Sequence, residues 1–122
     1  MLVKCFTEEQ GSEKAKEIVQ EQLTGASLFI IPETCIFEVL NALKYKGVSE
    51  QQLCQITTNL LSLGFHTEPA QQFFLEETIR CSKEHSLTIY DAAYAALAVM
   101  HDASLITADK QLAKVPNAIL VV

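Results

Sequence analysis

The sequence predicts an α/β protein, a layered sandwich around a mainly parallel sheet, and three observations carry that expectation. Strand-like and helix-like segments alternate along the chain. Each strand candidate is a compact apolar run instead of an in-and-out alternation, the pattern of a strand covered on both faces. Four glycines and three prolines stand where one pattern gives way to the next, as breakers do between the elements of such a fold.

The elements follow in order. Residues 12–24 read as a charged helix with Ile18, Val19 and Leu23 on one stripe and Gly25 as its stop. Residues 26–31 are an apolar run ending at Pro32, expected to be a strand buried on both faces. A helix over 33–46 closes at Gly47, and Ser49 with Gln52 has capping-box spacing for a helix that runs to Gly64. Residues 65–67 make a brief strand. Pro69 fits the first turn of a helix reaching His85, and Thr88 begins another to His101. Residues 104–107 form a strand, 109–114 a short helix and 118–122 a closing strand.

The chain has 122 residues, 49% of them apolar, with nine Lys and Arg against fifteen Asp and Glu, a net charge of −6. That is one domain of 1–122 with a single core, and it excludes a disordered chain. The acidic balance speaks against binding nucleic acid by phosphate neutralisation alone. Any such chemistry has to bring its own cations. No apolar stretch is long enough to span a membrane and no leader pattern opens the chain, so a cytoplasmic location is expected. Cys5, Cys35, Cys54 and Cys81 lack metal-ligand spacing and read as reduced, buried hydrophobes. His66, His85 and His101 read as surface or helix-terminal residues.

Three acids could carry chemistry. Asp91 is the single charge in YDAAYAALAVM, an apolar segment expected to be buried all round. It reads either as the N3 acid of a Thr88 capping box or as a buried metal ligand. Asp109 follows the apolar run ending at Thr107, either as a helix N-cap or as an acid at a strand's carboxyl end, where ligands of parallel sheets sit. Glu38 falls mid-helix with Asn41 and Tyr45 on one side, either a solvated face or a shielded one beside Phe37 and Tyr45. Three such carboxylates suit Mg²⁺ or Mn²⁺, ions that take oxygen ligands and act on phosphate esters.

The blocks EVLNAL, IYDAAYAALA and LITADKQL, in this order and spacing, resemble the PIN domain, and within it the compact VapC-type toxins. The resemblance covers nearly the whole chain. It implies a three-layer α/β/α fold with a mainly parallel central sheet and an acidic pocket binding Mg²⁺ or Mn²⁺ for RNA hydrolysis. Glu38 matches the E-x-x-N block, Asp91 the Y-D-A block and Asp109 the T-x-D block, as catalytic and metal-binding acids. Asn41 and Thr107 match their polar companions. A homodimer and an antitoxin partner are implied as well.

One departure stands out. The family's first strand ends in an aspartate just before a segment like Leu2-Val3-Lys4, and in this sequence no aspartate precedes Asp91. The first strand is therefore expected to be missing. A start codon assigned too late, a slot filled by residues 1–6 or a partner subunit, and a decayed copy all account for it. Two principal functions compete: a metal-dependent endoribonuclease, and an inactive PIN scaffold that binds a partner or dimerises. A small-molecule phosphohydrolase is a third, without a glycine-rich phosphate loop to support it. Lys44, Lys46 and Lys110 guide RNA in the first reading and solvate helix surfaces otherwise.

Overall fold

The computed structural model describes residues 12–25, 27–116 and 118–120. The expected gap at the first strand, and Cys5, lie outside them. The order of elements is α1 (Ser12–Thr24), β1 (Ile30–Pro32), α2 (Cys35–Tyr45), α3 (Glu50–Ser62), β2 (His66–Glu68), α4 (Gln72–His85), α5 (Ile89–Met100), β3 (Leu105–Thr107), a 3₁₀ turn (Leu112–Lys114) and β4 (Ala118–Leu120). The chain divides into two compact units, one ending at Thr67 and one beginning at Glu68.

In the first unit β1 and β2 are hydrogen-bonded neighbours, and the His66 N–H donates to Phe29 O at 2.9 Å. Gln22 of α1 fixes the entry to both strands. Its Oε1 accepts from the Phe29 N–H at 2.6 Å, and its Nε2 donates to Gly64 O at 3.1 Å. The Phe29 and Phe65 rings stack beside this bridge, centroids 6.1 Å apart and 8° from parallel. Cys35, Val39 and Leu43 are the buried stripe of α2, which packs against α3. After α2, Gly47 takes φ +86°, a conformation that favours glycine, while its N–H bonds Lys44 O and the Val48 N–H bonds Leu43 O. The Ser49 and Gln52 capping box forms as expected and opens α3.

The second unit rests on α4 packed against α5. Phe74, Thr78 and Cys81 are buried on α4, and Ala92, Ala95, Ala96 and Leu97 on α5. Small side chains let the two backbones approach closely. The corner between the helices is tightly bonded. The Leu87 N–H reaches Ser82 O at 3.1 Å, Ser82 Oγ donates to Leu87 O at 2.6 Å, and Ser86 takes φ +54°. Strand β3 pairs parallel with β4, Ile106 opposite Ile119. The parallel pairing expected for the closing strands is present there.

Several expectations are corrected. Pro69 stands before α4, because the Gln71 N–H closes a turn on Pro69 O and Gln71 is extended at the N-cap. The first strand described is 30–32, so Leu28 falls outside it and is exposed. Helix α5 is not buried all along: Ile89 and Tyr90 in its first turn and Val99 in its last are exposed, while Ala92, Ala95, Ala96 and Leu97 between them are buried. The segment 109–114 is a turn with a 3₁₀ end, not a helix. Cys35 and Cys81 are buried, whereas Cys54 is exposed on α3. No described helix is long and apolar enough to cross a membrane.

Leu43 is fully buried, so Leu43→Ala is expected to cost about 2–5 kcal/mol, read as a lower urea midpoint. The thiols should separate chemically. Burial pushes the Cys81 thiol up, opposed by the Arg80 guanidinium and reinforced by Glu77 and Glu84, which lowers its thiolate fraction at any given pH. At pH 8, iodoacetamide is expected to label Cys54 at least about tenfold faster than Cys81, measured by peptide mass mapping. Cys81 labelling then rises as pH climbs towards its raised pKa.

Candidate acidic site

Each candidate acid is held by a threonine. Thr88 is the N-cap of α5, and its Oγ1 accepts the Asp91 N–H at 3.1 Å. The cap keeps residue 91 in the first turn, where the positive end of the helix dipole favours a carboxylate. Asp91 is half-buried. Its carboxylate accepts no hydrogen bond among the described residues, so both oxygens remain available to a ligand.

Asp109 lies two residues beyond β3. Thr107, at the end of that strand and buried, accepts the Asp109 N–H on its Oγ1 at 3.0 Å. Asp109 Oδ1 in turn accepts the Gln111 N–H at 2.7 Å and the Leu112 N–H at 3.3 Å. One oxygen thus satisfies the donors of the turn, as an N-cap does. Oδ2 takes no part in those bonds. The structural and the chemical readings of Asp109 are therefore compatible, each using a different oxygen.

Glu38 sits in the first turn of α2 and not mid-helix, because the helix starts only at Cys35, with Thr34 before it making no side-chain cap bond. Its Oε1 accepts from Thr34 Oγ1 at 3.3 Å. The pair Thr34 and Glu38, four residues apart, is a local signal that the sequence contains. Of the two readings of this face, the solvated one holds: Glu38, Asn41, Phe37 and Tyr45 are all exposed.

Asp91, Asp109 and Thr107 belong to the second unit, where α5 packs against β3; Glu38 and Asn41 belong to the first. As donors, carboxylate oxygens suit a hard divalent ion, and Asp91 together with Asp109 Oδ2 supplies uncommitted ones. The described residues include no group of three or more His, Cys, Asp and Glu arranged to hold a metal. A separate cleft of about 290 Å³ runs beside Arg80, His85, Val99 and Asp102 and contains neither Asp91 nor Asp109.

A family model for the PIN domain matches residues 1–118. The chain belongs to the PIN-domain family. A protein in a toxin-antitoxin complex from Klebsiella pneumoniae is similar over 99% of this chain and 92% of its own, at 24% identity and a TM-score of 0.73. PAE2754 of Pyrobaculum aerophilum is similar over 75% of this chain and 70% of its own, at 30% identity and a TM-score of 0.60. No curated protein matches. The PIN match bears out the three-layer α/β/α class expected from the sequence.

The two jobs of Asp109 can be separated. Asn at this position can still accept both turn N–H groups, whereas Ala cannot. Asp109→Asn is expected to change stability by less than about 0.5 kcal/mol and Asp109→Ala to cost about 1 kcal/mol, measured by chemical denaturation.

Proposed function

We propose that the chain is a VapC-type PIN-domain endoribonuclease, one domain over 1–122, that hydrolyses RNA with Mg²⁺ or Mn²⁺ held by Glu38, Asp91 and Asp109. The observation that carries this reading is the half-buried Asp91 carboxylate, kept at a helix N-terminus by Thr88 and given no protein partner among the described residues. A carboxylate withdrawn from water gains most from a cation. When bound, such an ion supplies charge neutralisation for the phosphodiester and an activated water. Thr107 orients Asp109, whose Oδ1 holds the turn and leaves Oδ2 for the ion. Asn41 lies one turn beyond Glu38 as a polar companion. In this reading the protein acts in the cytoplasm, as a homodimer held in check by an antitoxin. The likeness to a protein from a toxin-antitoxin complex supports that partner.

A second reading, an inactive scaffold that binds a partner, is favoured by large apolar side chains left in water, Leu28 and Leu61 each 69% exposed. Mn²⁺ calorimetry separates the two, because a scaffold gives no heat that Asp109→Ala removes.

In nuclease-free preparations, Asp91→Asn is expected to lower Mn²⁺-dependent cleavage of single-stranded RNA at least about 10–100-fold while the protein stays folded. Undiminished cleavage by this variant rules out the assignment of Asp91.

A further inference from the structure

The cleft beside α4 and α5 lies wholly within the second unit. Its volume of about 290 Å³ stands at the small end of the range for ligand sites. One part of its wall is apolar, from Ala98 and Val99 of α5 and from Val115. The rest is polar and comes from separate places in the chain: Glu84 and His85 in the last turn of α4, and Asp102 just past α5. The backbone turns sharply at Asp102, which takes φ +48°, donates its N–H to Val99 O and is followed by the Ala103 N–H on Ala98 O. The Asp102 carboxylate is exposed at the cleft, and among the described residues no hydrogen bond or ion pair occupies it.

Charge decides what such a wall holds. The guanidinium of Arg80, beside the cleft, is already bound by two carboxylates, Nε and Nη2 donating to Glu77 Oε2 at 3.1 and 2.9 Å and Nη1 to Glu84 Oε2. The hydrogen bond to Glu77, foremost, holds its pKa above the ordinary value. Two carboxylates on one guanidinium leave this cluster negative, and Asp102 adds a further negative charge. The carboxyl end of α5 contributes partial negative charge as well. Anions are therefore repelled. A divalent ion is not served either, because the described residues include no group of three or more His, Cys, Asp and Glu arranged to hold one, and the apolar wall offers a hydrated ion nothing. The lining suits a cation that brings its own apolar surface.

We propose that this cleft is a binding site for a short aliphatic diamine, with its methylenes on Ala98, Val99 and Val115, one ammonium at Asp102 and the other at Glu84. Glu84 Oε1 takes no part in the bond to Arg80 and remains an acceptor. Each ammonium carries three N–H donors, which leaves one for a neutral His85 imidazole. The site is separate from the acidic one and does not depend on the ribonuclease reading.

Calorimetric titration of the full chain with 1,4-diaminobutane at low salt is expected to show saturable binding at one site. The diamine should bind about tenfold tighter than n-butylamine, which lacks the second ammonium. Asp102→Asn keeps a residue that tolerates positive φ and should weaken diamine binding about tenfold. Val99→Phe, which narrows the cleft at an exposed position without altering charge, should weaken it as well. Asp91→Asn should bind the diamine as the parent does. Absence of saturable heat up to about 10 mM diamine overturns the proposal, as does equal affinity for the diamine in the parent and in Asp102→Asn, or equal affinity of the parent for n-butylamine. Binding lost in Asp91→Asn and kept in Asp102→Asn puts the diamine at the acidic site and overturns it too.

Discussion

The close approach of α5 to α4 is the constraint on which the second unit depends. Ala92, Ala95 and Ala96 present almost no side chain, and they face a helix whose own buried residues are Phe74, Thr78 and Cys81. Larger residues at the alanine positions would force the helices apart, with the strain of an overpacked core. Thr78 tolerates this burial because its hydroxyl donates to Phe74 O, one turn back, at 2.8 Å. The polar atom is satisfied locally and the interface stays apolar. The start of α5, and with it Asp91, is thus determined by packing some distance from any chemistry.

A second regularity is the pairing of every candidate acid with a threonine, by three different geometries. Thr88 receives a backbone N–H three residues on, Thr107 one two residues on, and Thr34 gives its proton to a carboxylate oxygen four residues on. In the first two the hydroxyl leaves the carboxylate itself untouched. In the third it occupies one oxygen. Asp91 thus keeps both oxygens uncommitted among the described residues, whereas Asp109 and Glu38 each have one engaged, by the turn N–H groups and by Thr34.

Much of this was legible in the residues. The α1 bounds, the Ser49 capping box and the Thr88 cap all follow from local chemistry, in which a short side chain meets a backbone donor a fixed number of residues away. The errors arose where local pattern and tertiary context diverge. Pro69 suits a helical first turn, yet here the turn it starts comes before the helix. YDAAYAALAVM is apolar throughout, but only its middle, at Ala92, Ala95, Ala96 and Leu97, is buried, and Tyr90 and Val99 near its ends are exposed. The helix dipole favours an acid at residue 38, but sequence periodicity does not reveal that the helix begins at Cys35. Whether three acids converge on one ion is a long-range property that spacing cannot supply.

The corner at Ser86 joins α4 to α5 through three residues, 86–88, and Ser86 and Leu87 are bonded back to Ser82 by backbone and hydroxyl. A connection that short and that well satisfied leaves no place for a hinge. Local opening of α5 has to unmake the corner and pull on α4, so the amides of the two helices should exchange with solvent as one cooperative unit. The carboxylate at residue 91 therefore keeps its station on the timescale of sub-global unfolding, and not on the faster one of a loop.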